Sequence, residues 1–174
     1  MKLWWILALS LTAFGAESLD ETRKKADLGD ATAQYNLGLS YANGYGVLKD
    51  NTEAVKWFRL AAEQGIPEAQ NNLGVMYDKG YGVQKDVAEA FKWRRKAAEQ
   101  GYANAQISLG VIYATGDGVP MDLVQAYMWW NIASVKGEYD AKKNLANIEK
   151  QMTSEQKAEA MKLAREMYAR LEKK

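Results

Sequence analysis

Residues 33–65 read AQYNLGLSYANGYGVLKDNTEAVKWFRLAAEQG; the pattern returns at 69–101 as AQNNLGVMYDKGYGVQKDVAEAFKWRRKAAEQG and at 105–137 as AQISLGVIYATGDGVPMDLVQAYMWWNIASVKG. The three segments align without a gap at a period of 36 residues. A fixed period in this range marks a stack of supersecondary units, each of which buries its apolar face against a neighbour. Within a unit, Ala33, Leu37 and Tyr41 recur at i, i+4, i+8, and Ala54, Trp57 and Ala61 at i, i+3, i+7. Each set is one apolar stripe on a helix, so the chain reads as all-α, built of helical hairpins.

The turn between the two helices is written in glycine and aspartate. Gly44, Gly80 and Gly116 stand where the first helix must stop, a place that favours positive φ. Asp50, Asp86 and Asp122 each precede Glu53, Glu89 and Gln125 by three residues, the spacing of a capping box at the start of the second helix. The Gly-Tyr-Gly-Val stretch would suit a phosphate loop only with a preceding strand and a following Gly-Lys-Ser/Thr, and neither accompanies it.

Carried by the in-phase Ala, Leu-Gly, Tyr, Gly-x-Gly-Val, Asp, Ala, Trp and Ala-Ala positions, residues 20–151 resemble the Sel-one-like repeat family. These are relatives of tetratricopeptide repeats with a slightly longer turn. The third copy departs at Asp117 for tyrosine and Ser134 for alanine. The resemblance implies an α-α superhelix whose first helices line the inner curve and whose second helices line the outer one. It also implies a polypeptide partner held in the concave groove. In the phase of that groove stand Tyr35, Asn36, Leu39 and Asn43, then Asn71, Asn72, Val75 and Lys79, then Ile107, Ser108, Val111 and Thr115. Lys143, Asn144 and Asn147 continue the line. Asn36, Asn72, Ser108 and Asn144 form a polar row suited to a peptide backbone, and Leu39, Val75 and Val111 an apolar row beside it. The alternative is that the amides tie neighbouring helices together and the aliphatics are ordinary core.

Other aromatic and basic residues divide by phase. Trp57, Trp93 and Trp129 recur with the repeat and are expected in the core, whereas Trp130, Tyr127, Tyr102, Tyr139, Tyr45 and Tyr81 are candidates for an exposed patch. Arg94, Arg95 and Lys96 read as a solvated outer face.

The ends fit a finite stack. Residues 1–15 carry a positive charge at Lys2, an apolar run and small residues at Ala13 and Gly15, the pattern of a signal peptide cleaved after Gly15. Cleavage after Ala16 is the weaker choice, because it puts bulky Phe14 three residues upstream, and an uncleaved anchor is the alternative. The run falls short of the roughly 20 residues a membrane span needs. Residues 16–30 then form an incomplete unit, 31–152 the repeats, and 153–174 a capping helix. That helix opens on the Thr153/Gln156 capping box and carries the stripe Ala160, Met161, Ala164, Met167, Tyr168 and Leu171.

Composition narrows the function. The 23 basic and 22 acidic residues nearly cancel, leaving no field to draw in nucleic acid. With no histidine and no cysteine, the usual ligands for zinc, copper, haem and iron–sulfur sites are missing, as are thiol nucleophiles and histidine triads. The expectation is a periplasmic or secreted scaffold for another protein or peptide, without catalytic residues, metal or cofactor. The competing readings are an envelope assembly or stability factor that uses its convex or terminal face, and a β-lactam-binding relative. Members of the resembled family linked to β-lactams are cysteine-rich, whereas this chain has no cysteine and is read as carrying no Ser-x-x-Lys motif.

Overall fold

The structure, a computed structural model, describes residues 18–173, so the expected signal segment lies outside the described residues. In chain order the helices are α1 (Leu19–Asp27), α2 (Ala31–Asn43), α3 (Asn51–Glu63), α4 (Pro67–Lys79) and α5 (Val87–Ala98). Then follow α6 (Ala103–Thr115), α7 (Leu123–Val135), α8 (Tyr139–Ile148), a single 3-10 turn at Glu149–Gln151 and α9 (Ser154–Leu171). Helices α2 and α3, α4 and α5, and α6 and α7 pair as hairpins, and α3 packs on α4 as α5 does on α6. Helix α1 leans on α2, in the place of a preceding unit's second helix.

The turn chemistry is as the sequence dictates. Gly44, Gly80 and Gly116 end the first helices in the left-handed region at φ 78°, 70° and 73°. Asp50, Asp86 and Asp122 accept from the backbone N–H of Glu53, Glu89 and Gln125. In α3 and α5 the acid turns forward, Glu53 to Lys56 and Glu89 to Lys92. The reciprocal box closes at Thr153 and Gln156.

The in-phase alanines, leucines and tryptophans are buried in all three copies, Ala33, Ala69 and Ala105, Leu37, Leu73 and Leu109, and Trp57, Trp93 and Trp129, while the stripe tyrosines Tyr41, Tyr77 and Tyr113 are half-buried. Each fully buried leucine contributes about 1.5–3 kcal/mol. A polar ladder accompanies this apolar one. Gln34, Gln70 and Gln106 are buried, and each Nε2 donates back to the preceding second helix, at Ala26 O (3.2 Å), Ala62 O (3.0 Å) and Ala98 O (3.1 Å). Gln64 and Gln100 donate in turn to Gln34 Oε1 (2.7 Å) and Gln70 Oε1 (2.8 Å). The next rung is Lys136, which donates to Gly101 O, and Gln106 Oε1 has no partner.

The chain's last helix does not extend the hairpin pattern. Helix α9 packs chiefly on α7, over the second-helix side, and α8 packs on the other flank of α7. Ala160 and Ala164 are buried there, while Leu163, Met167, Tyr168 and Leu171 pack partly against the core. Met161, expected on the apolar stripe, is exposed instead, because the buried face of α9 runs through Leu163.

Candidate protein-binding groove

The first-helix side is shaped by glycine. Gly38, Gly74 and Gly110 sit inside α2, α4 and α6, and a Cβ there would lie 2.6 Å from the Phe58 ring, 2.8 Å from Arg94 Cγ and 2.3 Å from Trp130 Nε1. The residue one place after each repeat tryptophan therefore passes flat over the first helix. Phe58, Arg94 and Trp130 form this row from α3, α5 and α7.

Phe58 floors a depression of about 170 Å³ whose walls are Leu39, Ala42 and Asn43 from α2 and Asn72, Val75 and Met76 from α4. Four of the sequence-derived groove residues thus meet in one place. Tyr35 packs on Phe58 at 6.0 Å between ring centroids, with Asn72 beside its hydroxyl. Burial, with Tyr102 and Glu68 nearby, pushes the Tyr35 hydroxyl above its ordinary pKa, and Asn72 opposes the shift. The hydroxyl stays protonated at neutral pH.

In the next interval the row is charged. Arg94 donates to Asp78 Oδ2 at 3.2 Å, and Lys79 approaches the same oxygen at 3.3 Å. Arg94 and Asp78 are only 11% and 16% exposed, so the pair is largely desolvated. Burial alone would raise the Asp78 pKa, but the bond and charge of Arg94, with Lys79, outweigh it and hold the carboxyl below its ordinary value. At the far end Trp130 helps line a second depression of about 110 Å³ with Ala114, Leu123, Asn144 and Asn147.

The remaining groove candidates separate. Asn36 is exposed and Val111 largely so. Asn43, Ser108 and Thr115 donate to carbonyls four residues back on their own helices, at Leu39, Asn104 and Val111. Asn71 is a correction: at 9% exposure it faces the interior, because it falls on the packed side of α4 next to Gln70. Ile107 packs into the core, and its carbonyl accepts from Trp130 Nε1 at 3.1 Å.

Three further expectations are overturned. Trp130 and Tyr127 are buried, not part of an exposed patch; Gly110 admits the indole and Tyr127 donates to Glu149 Oε1. Arg94 turns inward to Asp78, while Arg95 and Lys96 keep the solvated face. Tyr45, Tyr81 and Tyr139 are exposed. Sequence reasoning missed the row Phe58, Arg94 and Trp130, although an in-phase glycine inside a helix is the signal of close approach. The reading that no Ser-x-x-Lys motif is present is also corrected, since Ser154 and Lys157 have the spacing used by serine acyl-enzymes. That spacing falls in the first turn of α9, with Ser154 exposed beside the Thr153 cap.

Comparison with known proteins agrees with this architecture. The Sel1 repeat family model matches residues 31–66, 67–102 and 103–137. A Sel1 repeat protein from Oxalobacter formigenes superposes with a TM-score of 0.69 at 43% identity, covering 74% of this chain and 97% of that one. The uropathogenic Escherichia coli protective antigen c5321 gives a TM-score of 0.68 at 33% identity over 88% of this chain and 41% of its own. The secretory immunoglobulin A-binding protein EsiB of Escherichia coli O6:H1 is 48% identical over 53 residues, which are 30% of this chain and 11% of EsiB. The chain therefore spans about a tenth of that curated relative. With three consecutive units matched and the hairpin stack they require in place, the chain belongs to the Sel1 repeat family.

Proposed function

We propose that this chain is an exported scaffold that holds an extended segment of another polypeptide along the face of α2, α4, α6 and α8. Sel1 repeat proteins are generally protein-interaction scaffolds and are typically non-catalytic. Among the described residues, no helix is long and apolar enough to cross a membrane. Export rests on the signal-like pattern of residues 1–15.

The observation that carries the reading is the depression between α2 and α4, apolar at its floor and walls and edged by amides. Leu39 and Val75 take a side chain of the guest, and Asn36 and Asn72 exchange hydrogen bonds with its backbone. One repeat further on, Asp78 offsets one of the two cations Arg94 and Lys79, so an acidic guest residue is favoured there over a basic one. That EsiB binds an immunoglobulin is in keeping with a protein partner.

A second reading uses the turn edge, where Tyr45, Leu48, Tyr81 and Met121 are all exposed. There the chain would act as an assembly or stability factor through a face other than the groove. A peptide-display selection on the purified chain separates the two. Selected peptides should lose at least about tenfold in affinity on Val75→Arg, which places an unpaired charge against the Phe58 floor. They should bind Tyr45→Ser/Tyr81→Ser as they bind wild type. The reverse pattern would move the site to the turn edge, and failure to enrich any sequence would remove the groove reading.

A further inference from the structure

The repeat lets the groove be compared with itself, place by place, along the intervals α2 to α4, α4 to α6 and α6 to α8. The depressions in the first and third intervals are built from the same places of the unit: Ala42 and Ala114, Phe58 and Trp130, Asn72 and Asn144. Against each ring lies an apolar or aromatic residue of the first helix, Tyr35 on Phe58 and Ile107 at Trp130. The middle interval departs at three of these places together. Asn71 stands for Tyr35 and Ile107, Asp78 for the two alanines, and Arg94 for the two rings.

Stability does not explain the exchange. Arg94 Nε and Asn71 Oδ1 are both buried without a hydrogen-bond partner, and polar groups left so are less favourable than the apolar residues that fill the same places in either neighbour. Nor do the charges close on themselves. Asp78 is one carboxylate shared by two cations, accepting from Arg94 Nη2 at 3.2 Å with Lys79 at 3.3 Å, so the interval keeps a positive charge in excess. Among the described residues Arg94 makes no other hydrogen bond, and the Nη1 side of its planar fork is unspent.

We propose that the groove reads a three-part signature in its guest, an acidic side chain between two apolar ones, with Arg94 as the residue that selects the acid. The signature rests on the groove reading of the function and specifies which polypeptide fits it. The apolar side chains enter the depressions of about 170 Å³ over Phe58 and about 110 Å³ beside Trp130, and the carboxylate lies between them at Arg94 and Lys79. A guanidinium fork matches the two oxygens of a carboxylate, whereas a basic guest residue meets two cations for one anion. Asp78 holds the guanidinium in position before a guest arrives. Packed helices lie no closer than about 8–10 Å and an extended chain advances about 3.3 Å per residue, so neighbouring parts of the signature are at least about three residues apart.

The test is peptide display on the full chain from a library of about twelve random residues, long enough for three parts at that spacing. Selected peptides should carry Asp or Glu between apolar residues, and replacing that acid by its amide should weaken binding by at least about tenfold. This exchange is made in the peptide and needs no change in the protein. A second chain carries the third interval's own residues in the middle one, Asn71→Ile, Asp78→Ala, Lys79→Thr and Arg94→Trp, a set that already packs over Gly110 and meets Gly74 here. On it, acid and amide should bind within about twofold of each other. Peptides that are weakened by Val75→Arg but bind equally as acid or amide would overturn the signature and leave the groove standing. So would an acid preference that survives in the second chain. Peptides indifferent to Val75→Arg, or none at all, would remove the groove reading and the signature with it.

Discussion

Gly110 lies in the middle of α6, where glycine costs about 1 kcal/mol against alanine. It is kept there by Trp130, whose indole would stand 2.3–2.6 Å from an added Cβ and is pinned by its bond to Ile107 O. The ring cannot move aside without losing that bond. Gly110→Ala should therefore destabilise the chain by about 1–2 kcal/mol, the overpacking cost less the gain in helix propensity. Gly74→Ala should cost less, because Arg94 Cγ belongs to a flexible side chain, although Ala90 O at 3.0 Å does not yield. Urea midpoints check both, and a raised midpoint for Gly110→Ala would contradict the close approach. The glycines were legible in the sequence because they recur in phase. Their occupants were not, because Phe58, Arg94 and Trp130 share a place but no chemistry, and a pattern search sees only repetition.

At the level of helices, neighbouring units are joined by the glutamine ladder as well as by apolar packing. Gln64 Nε2 serves two acceptors at once, Gly29 O at 3.0 Å and Gln34 Oε1 at 2.7 Å. Lys136, in the same phase, reaches the corresponding carbonyl of Gly101 and leaves Gln106 Oε1 buried without a partner. A buried unsatisfied acceptor costs about 1–3 kcal/mol, more than the roughly 0.3–1 kcal/mol a cation contributes at a helix C-terminus. Lys136→Gln should therefore raise stability by about 0.5–1 kcal/mol. Chemical denaturation of the variant measures it, and a loss of stability would show that the lysine contact is the stronger. The helix boundaries followed from local chemistry, with glycine stopping and aspartate starting each element. The ladder did not, because a glutamine beside an alanine looks exposed until the preceding helix is laid against it.

Among the described residues each unit packs chiefly on its neighbours, so stability accumulates along the array and an uncovered stacking face must be sealed. Helix α9 seals one end by lying over α7, and Leu163, Met167, Tyr168 and Leu171 cover Trp129 and Ile132. Removing residues 153–174 should cost the third unit about 3 kcal/mol or more, since several half-buried apolar side chains leave together. It should also expose Trp129 and shift tryptophan emission to the red. Unchanged emission with an unchanged midpoint would mean that α9 docks too weakly to cap the stack. The sequence foresaw a capping helix from its stripe and its Thr153 box. Its direction was not foreseen, because one apolar face of α9 suits either α8 or α7, and Met161 and Leu163 both border it.

The sequence by itself determined the unit, its period, its turns, its buried leucines and tryptophans and hence the helical stack, because these are properties of a local pattern repeated in phase. Only the tertiary structure decided which residues face a guest. It turned Asn71, Tyr127 and Trp130 inward, drew Arg94 to Asp78, and laid α9 across α7 to make a cleft the repeat does not contain. Such facing depends on which surfaces of separate helices meet, and that is set by packing across the stack, which no single unit encodes.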